Sequence, residues 1–196
     1  MEKSSPYVTL TAEQFYIDKT AILERGMEEC PSIYIEGAAA SGKTTAVRLL
    51  LGKNPDIEAY ILEMKEEESI KKLDEMVKSR EEWTKPGWII FEDMHSALDE
   101  VTIKKIADCI WNLPAGWHAI LIGRERPHEG FLNLIWKRKM QIISQEHLRF
   151  TEKDIRSLTN HFQSDLDPVE IYEQTGGWAG CVDMMLRLSQ ADPPAA

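Results

Sequence analysis

Two patterns of apolar and polar residues alternate along the first 150 residues of the chain. Five short apolar runs, rich in β-branched and aromatic side chains, have the composition of strands: SIYIE, EAYILEM, WIIFED, HAILIG and MQIIS. Apolar residues at helical spacing occupy the segments around them, at residues 18–29, 43–51, 67–83, 101–113 and 130–137. The runs are continuously apolar, which is typical of strands buried on both faces. Strands that alternate with helices predict an α/β fold with a parallel sheet.

The pattern changes from Thr151 onward. Helical patterns follow one another at residues 153–162, 169–175 and 179–188, and no strand candidate remains. Thr151 and Asp154 have the spacing of a capping box, with Asp in place of the usual Glu. We therefore predict an α/β domain over residues 1–150, a small helical lid subdomain over residues 151–190 and a disordered tail at residues 191–196.

The overall charge argues against one class of function, nonspecific nucleic-acid binding. The 196 residues carry a formal net charge of -10, whereas a surface that binds nucleic acid nonspecifically is basic. The one tight basic cluster, Lys137-Arg138-Lys139, is interpreted as a solvated helix end. No apolar run approaches the roughly 20 residues that a membrane span needs, and the N-terminus lacks the apolar core of a signal peptide. We expect a cytoplasmic protein whose present segment binds neither nucleic acid nor a membrane.

The cysteines point to the same compartment. There are three, Cys30, Cys109 and Cys181, far apart in the sequence and odd in number. No pair has the spacing of a metal site, so we expect reduced thiols in a reducing cytosol that serve as small apolar residues.

The turn after the first predicted strand carries the strongest chemical signal. Residues 37–44, GAAASGKT, fit the pattern G-x-x-x-x-G-K-[ST] and stand between a strand and a helix, which is the context that this phosphate-binding loop requires. Gly37 and Gly42 permit a tight backbone close to phosphate. Successive amides in such a turn form an anion nest, to which the N-terminus of the next helix adds partial positive charge.

Individual side chains of this loop have predicted roles. Lys43 reaches the β- and γ-phosphates, and the Thr44 hydroxyl ligates Mg²⁺. Thr45 faces the α-phosphate. Together with an arginine considered below, the predicted nucleotide-binding residues are Gly37, Ala40, Ser41, Gly42, Lys43, Thr44, Thr45 and Arg124.

Two acids end the third predicted strand, in WIIFEDMH. Beside a phosphate-binding loop, one such acid holds Mg²⁺ through water and a neighbour polarises the attacking water. Glu92 and Asp93 are therefore the candidate catalytic residues and, with Thr44, the candidate metal ligands. Strand alternation would point the two acids to opposite faces, and the sequence leaves open which acid takes which role. His95 is either an orienting residue for water or phosphate or a structural histidine.

Arg124 directly follows the fourth predicted strand. The carboxyl edge of a parallel sheet is where ligands bind in open α/β folds. Arg124 either senses the γ-phosphate or pairs with a nearby acid, and we favour the sensor role.

This ordered set of motifs resembles the nucleotide-binding domain of STAND-class P-loop ATPases (AAA+/ASCE-like), most closely the MalT/LuxR-type bacterial regulators. The family's P-loop corresponds to GAAASGKTT, its strand–acid–acid–x–His element to IIFEDMH, and its arginine–x–x–proline element to Arg124 and Pro127. Its L-x-F-T helix start corresponds to LRFTEKDI and its Gly-Trp helix entry to TGGWAG. The resemblance covers roughly residues 10–188. Glu92 departs from the family, which usually has Asp there.

The resemblance implies a P-loop NTPase three-layer sandwich with a mostly parallel five-stranded sheet, followed by a helical lid. It implies ATP with Mg²⁺, slow hydrolysis, and a switch between ATP and ADP states. In the family a winged-helix module, a helical sensor arm and often a DNA-binding helix-turn-helix follow. None is present here, so the chain is either a fragment of a longer regulator or a stand-alone piece, and we favour the fragment. Its output would then pass through the missing C-terminal sensor and DNA-binding domains or through partner proteins.

Two other functions remain open at this stage. The first is a small P-loop phosphotransferase, a kinase. Kinase loops commonly have another glycine where Ala40 stands, and the segment after Thr151 offers only Arg156 and Arg187 to clamp a second phosphate. The second is an interaction module with a vestigial nucleotide site.

Overall fold

The computed structural model describes residues 15–79, 83–96 and 99–191, which form one parallel sheet with helices around it. All five strands pair in parallel, in the order β2-β3-β4-β1-β5. Their bounds agree with the predicted runs to within one residue at each end: β1 Ser32–Glu36, β2 Glu58–Glu63, β3 Gly87–Glu92, β4 Trp117–Gly123 and β5 Met140–Ser144.

The helices also fall where they were predicted, except that the third ends at Lys78, five residues before the predicted end at Trp83, which is not helical. They are α1 Thr20–Glu29, α2 Lys43–Lys53, α3 Glu67–Lys78, α4 Glu100–Trp111, α5 Leu132–Trp136, α6 Glu152–Phe162, α7 Pro168–Thr175 and α8 Ala179–Ala191. The segment predicted as one helix at residues 130–137 is a 3-10 turn, Glu129–Phe131, followed by the short α5. Residues 192–196 of the predicted tail lie outside the described residues, and Ala191 is the last residue of α8.

Helices cover both faces of the sheet, because alternate residues of each buried strand point to opposite sides. Ile33 and Ile35 of β1 join one apolar cluster with residues of α1 and α2, including Leu23 and Leu50. Tyr34, between the two isoleucines, joins a second cluster with residues of α3, α4 and α5. The result is the three-layer α/β sandwich that the sequence predicts. Among the described residues, none of the helices combines the length and apolar character that a bilayer crossing requires.

The last three helices have an apolar cluster of their own. Its buried members are Ile155, Leu158, Ile171, Val182 and Leu186, with Ile17 and Phe150 packed against them. The predicted capping box is present: the Thr151 hydroxyl accepts from the Asp154 N–H, and the Asp154 carboxylate accepts from the Thr151 N–H. The domain boundary near residues 145–150 stays a prediction; a 3-10 turn, Gln145–Leu148, occupies most of it.

The parallel arrangement decides where the site lies. Because every strand runs in the same direction, the segments that follow β1, β3 and β4 all emerge at one edge of the sheet. Register brings them together: Glu36 of β1 lies beside Gly123 of β4, so the loop at residue 37 is next to Arg124. The sequence motifs after these strands therefore meet in space.

Candidate nucleotide-binding site

The loop between β1 and α2 is a tight turn with three residues at positive φ: Gly37 at 156°, Ala40 at 59° and Gly42 at 92°. Gly42 is the N-cap of α2, in the left-handed region that glycine adopts at little cost. A Cβ at Gly37 would lie 2.6 Å from the Cβ of Gln145, so this glycine also permits a close approach. Both glycines permit the tight backbone that the motif predicts, and close approach to phosphate stays a prediction.

The amides of the loop divide into two groups. The N–H of Gly37 donates to the Gly123 carbonyl at 3.3 Å, and that of Ala38 to Gln145 Oε1 at 2.9 Å. For residues 39–45 the described part of the chain provides no acceptor to any N–H. Successive free amides at the N-terminus of an eleven-residue helix form a site for an anion.

Lys43 is folded back over the loop. Its Nζ donates to the carbonyls of Gly37 and Ala38, at 2.5 and 2.7 Å, and to Ser41 Oγ at 3.1 Å. The residue is only 8% exposed. Burial lowers the pKa of the Lys43 ammonium, the nearby Arg124 guanidinium lowers that pKa further, and Asp93 opposes the change. Arg124, after β4, and Asp93, after β3, therefore both lie within electrostatic range of Lys43 at the start of α2.

The two candidate catalytic acids differ in backbone conformation and in surroundings. Glu92 is the last residue of β3, whereas Asp93 leaves the strand with a positive φ of 54°. Strand alternation, which predicts opposite faces for the two side chains, therefore does not apply at Asp93. One carboxylate oxygen of Glu92 is buried and has no hydrogen-bond partner among the residues described. A buried carboxylate oxygen requires a donor or a cation, so it fits a Mg²⁺ ion or its water.

Asp93 lies in a charged group at the end of the sheet. Its carboxylate is 3.6 Å from the Lys65 ammonium, which also pairs with Glu63 at 2.8 Å. His95 Nδ1 is 4.0 Å from the other Asp93 oxygen. No group of three His, Cys, Asp or Glu residues in the described ranges could hold a metal by itself. A Mg²⁺ ion here would take its ligands from Thr44, one acid, phosphate oxygens and water, as Mg²⁺ usually does.

The N-terminus of α8 contacts the tip of the loop, which the sequence did not predict. The Gly180 N–H donates to the Ala40 carbonyl at 2.9 Å. A Cβ on Gly180 would lie 2.5 Å from the Ala40 Cβ, so only glycine permits this approach. The run of small residues after Trp178 in GGWAG was the available signal, but nothing local to it indicates which surface it meets.

A second contact missed from the sequence is that of Gln145, whose Oε1 accepts from the Ala38 N–H. Gln145, Ser41, Arg149, Trp178 and Ala179 line a narrow cleft beside the loop. The Arg149 guanidinium lies 5.6 Å from the centre of the Trp178 ring and donates to the Gly176 carbonyl at 2.9 Å. The helical segment is thus held against the loop side of the sheet.

Three solved structures share the fold at low sequence identity. A Walker-type ATPase of Pyrococcus abyssi has a TM-score of 0.59 and 13% identity, over 89% of this chain and 67% of that chain. A mutant of RuvB from Thermotoga maritima has a TM-score of 0.61 and 10% identity, over 94% and 66%. AMPPCP-bound DnaA from Aquifex aeolicus has a TM-score of 0.60 and 12% identity, over 90% and 63%.

No protein-family model matches the sequence, and no curated protein matches it either. This chain spans about two thirds of the length of each of the three solved proteins. The sheet order, the loop after β1 and these structural neighbours agree on one conclusion: the chain has the fold of the P-loop nucleoside triphosphatases.

Proposed function

We propose that this chain is the ATP-binding switch domain of a STAND-type signalling or transcriptional regulator, with slow hydrolysis of ATP. One observation carries the proposal: Arg124 and Asp93 lie near enough to Lys43 to shift its pKa, and Lys43 adjoins the free amides of residues 39–45. Free amides, cations and a carboxylate in one site suit a triphosphate that is both bound and hydrolysed.

Each residue has a role in this proposal. The amides of residues 39–45 bind the phosphates, and Lys43 exchanges its loop carbonyls for β- and γ-phosphate oxygens. Thr44 and one of the two acids hold Mg²⁺, which neutralises charge on the phosphates. Asp93, which lies near Lys65 and His95, polarises the attacking water. Arg124 reads the γ-phosphate and so distinguishes ATP from ADP.

Two observations favour ATP over other nucleotides as the ligand. The motifs of STAND-class ATPases occur in order along the chain, and DnaA, one of the structural neighbours, binds AMPPCP, an analogue of ATP. The contact between Gly180 and Ala40 couples the loop to α8, because a change in the loop conformation would alter the position of α8. ATP and ADP then bias two states through their different affinities for them.

The regulator class rests on the coupling of two further motifs. The Phe150 N–H, in LRFT, donates to the carbonyl of Gly177, in TGGWAG, at 2.8 Å. We propose that this paired element is the lid of a cytoplasmic regulator and that further domains or partner proteins carry the output. Neither a kinase nor a vestigial site gains support from any contact in the described residues.

Isothermal titration calorimetry with ATP and Mg²⁺ tests the proposal. We expect micromolar binding by the wild-type chain and at least a 50-fold loss in Lys43→Ala. Lys71→Ala, which removes an exposed lysine from α3, is the matched control and should bind as the wild type does. Equal affinity in Lys43→Ala and wild type, or rapid turnover that depends on a small-molecule acceptor, would overturn the switch proposal.

A further inference from the structure

A groove of about 510 Å³ lies between α4 and the segment that leads into α5, and none of its residues belongs to the nucleotide site. One wall is a single face of α4, since its members recur at helical spacing: Glu100, Ile103, Lys104, Ala107, Asp108 and Trp111. This face spans eleven residue steps, or about 16 Å. The other wall is formed by residues 128–130 with Asn133 and Leu134.

The floor of the groove is apolar and fixed. Ile103 and Leu134 are 3% and 2% exposed. A Cβ on Gly130 would lie 2.6 Å from Ile103 Cγ2, so the two walls meet closely at this glycine. Trp111 lies at the C-terminal end of α4 and is 42% exposed, so part of its large apolar side chain is open to contact. The groove therefore offers an aromatic anchor at one end and an apolar floor made of Ile103, Ala107 and Leu134.

The rim of the groove is acidic. Glu100, Asp108 and Glu129 line it, against the single ammonium of Lys104. None of these four side chains forms an ion pair with another described residue. By contrast, Lys105, on the next position of α4, pairs with Asp74 at 2.8 Å and faces away from the groove. The surplus of unpaired carboxylates favours an occupant that carries positive charge along both sides of an apolar ridge.

We propose that this groove binds an amphipathic helix of a partner protein, about three turns long, with an apolar ridge flanked by lysine or arginine. The length follows from the 16 Å wall at about 5.4 Å per turn. The ridge follows from the apolar floor, because helix-in-groove recognition uses side chains at positions i, i+3 or i+4, and i+7. The basic flanks follow from the rim. Nucleic acid and anionic ligands do not fit, since the same rim would repel them.

The proposal is tested with a labelled synthetic helix. The probe is a fluorescein-labelled peptide of about four turns, with leucines at i, i+3 and i+7 and lysines beside them. Its two controls are the same peptide with glutamate in place of lysine and a scrambled peptide of the original composition. Fluorescence anisotropy with the full chain should give micromolar binding of the first peptide and at least tenfold weaker binding of both controls.

Variants decide whether the groove is the site. The double variant Glu100→Lys/Asp108→Lys should weaken binding at least tenfold, and so should Trp111→Ser. Glu28→Lys/Glu173→Lys makes the same charge change at exposed positions on α1 and α7 and should leave the affinity within twofold. Circular dichroism confirms that each variant is folded. If the control pair weakens binding as much as the groove pair, attraction is only to net charge and the proposal fails.

Amide shifts in ¹⁵N-labelled protein locate the peptide independently of the variants. Shifts concentrated on α4 and residues 128–134 support the proposal, and shifts confined to any other surface overturn it. A second copy of the chain is the competing occupant. Sedimentation that showed a dimer, dissociated by the peptide, would assign the groove to self-association and also overturn the proposal.

Discussion

Gly180 lies against Ala40, with its N–H 2.9 Å from the Ala40 carbonyl and no space for a Cβ between them. This contact joins the first turn of α8 to the tip of the phosphate-binding loop. The two residues are far apart in the sequence, so the helical segment and the sheet domain meet directly at the candidate nucleotide site. Any change in the loop on nucleotide binding must either keep this contact or break it.

Gly180→Ala should weaken nucleotide binding by forcing α8 away from the loop. The added Cβ would lie 2.5 Å from the Ala40 Cβ, a distance that both backbones must relieve by moving. We expect at least a fivefold weaker affinity for ATP by calorimetry. Gly52→Ala is the control, since nothing lies within 4 Å of a Cβ there and Gly52 is inside α2. It should bind ATP normally and gain up to about 1 kcal/mol of stability. Normal affinity in Gly180→Ala would show that the contact has no part in binding.

Arg124→Ala should reduce the affinity for ATP more than the affinity for ADP. Arg124 follows β4 at the edge of the sheet and its guanidinium lowers the pKa of the Lys43 ammonium; in the proposed site it contacts the γ-phosphate. We expect about a tenfold loss for ATP, equivalent to about 1.4 kcal/mol, and less than a twofold loss for ADP, both by calorimetry. Arg126 is also exposed and lies two positions further along the chain, and Arg126→Ala should change neither affinity. Equal losses for the two nucleotides in Arg124→Ala would remove the sensor role.

Asp93→Asn should slow hydrolysis and leave ATP binding intact. A positioned general base contributes about 100-fold or more to such a rate, so phosphate release in a single turnover should fall by that factor. Asp165→Asn, at an exposed position between α6 and α7, should hydrolyse ATP at the wild-type rate. An unchanged rate in Asp93→Asn would move the base to Glu92, with its unpaired oxygen, or to His95.

The pH dependence of the free energy of unfolding should include a contribution from the Asp18 carboxylate, just before α1. The hydrogen bond from Lys53, at 2.5 Å, with those from Thr20, lowers the pKa of Asp18 to about 2. A depressed pKa contributes stability above the ordinary value near 4, and this stability is lost as the pH falls through 2. Because both side chains are about half exposed, we expect at most about 1 kcal/mol.

The comparison between wild type and Asp18→Asn measures this contribution. The difference in the free energy of unfolding, from urea titrations, should be constant above pH 5 and shrink towards zero near pH 2. Asp56→Asn alters an exposed aspartate that has no ion pair among the described residues. Its difference from the wild type should stay within about 0.5 kcal/mol at every pH. A difference for Asp18→Asn that grows on acidification would contradict the assignment.

The sequence predicted the strands and helices well because their signals are local. Continuous apolar runs such as SIYIE are buried on both faces, and β1 starts and ends at its predicted residues, Ser32 and Glu36. Gly42 and Lys43 also needed no distant information, since the loop geometry and the helix start lie within a few residues. The same reasoning located Thr151 as a helix cap, because a cap is made within one turn.

The contacts that complete the site were not predictable in this way. Gln145 meets the loop from 107 positions away, and Gly180 meets Ala40 across the whole sheet domain. The turn at Asp93 was missed because a positive φ at a non-glycine residue is set by the surrounding fold. Gly177 is a further example. The TGGWAG motif was recognisable in the sequence, but the need for glycine at residue 177 comes from a distant contact, since a Cβ there would lie 2.0 Å from the Phe150 carbonyl oxygen.

The most direct test of the account is an amide titration of ¹⁵N-labelled protein with ATP and Mg²⁺. If the free amides of residues 39–45 hold the phosphates, their resonances should move downfield by the largest amounts in the spectrum, and Lys43→Ala should abolish the movement. Resonances of residues 39–45 that stay in place while ATP binds would contradict the account, because the nucleotide would then lie elsewhere on the chain.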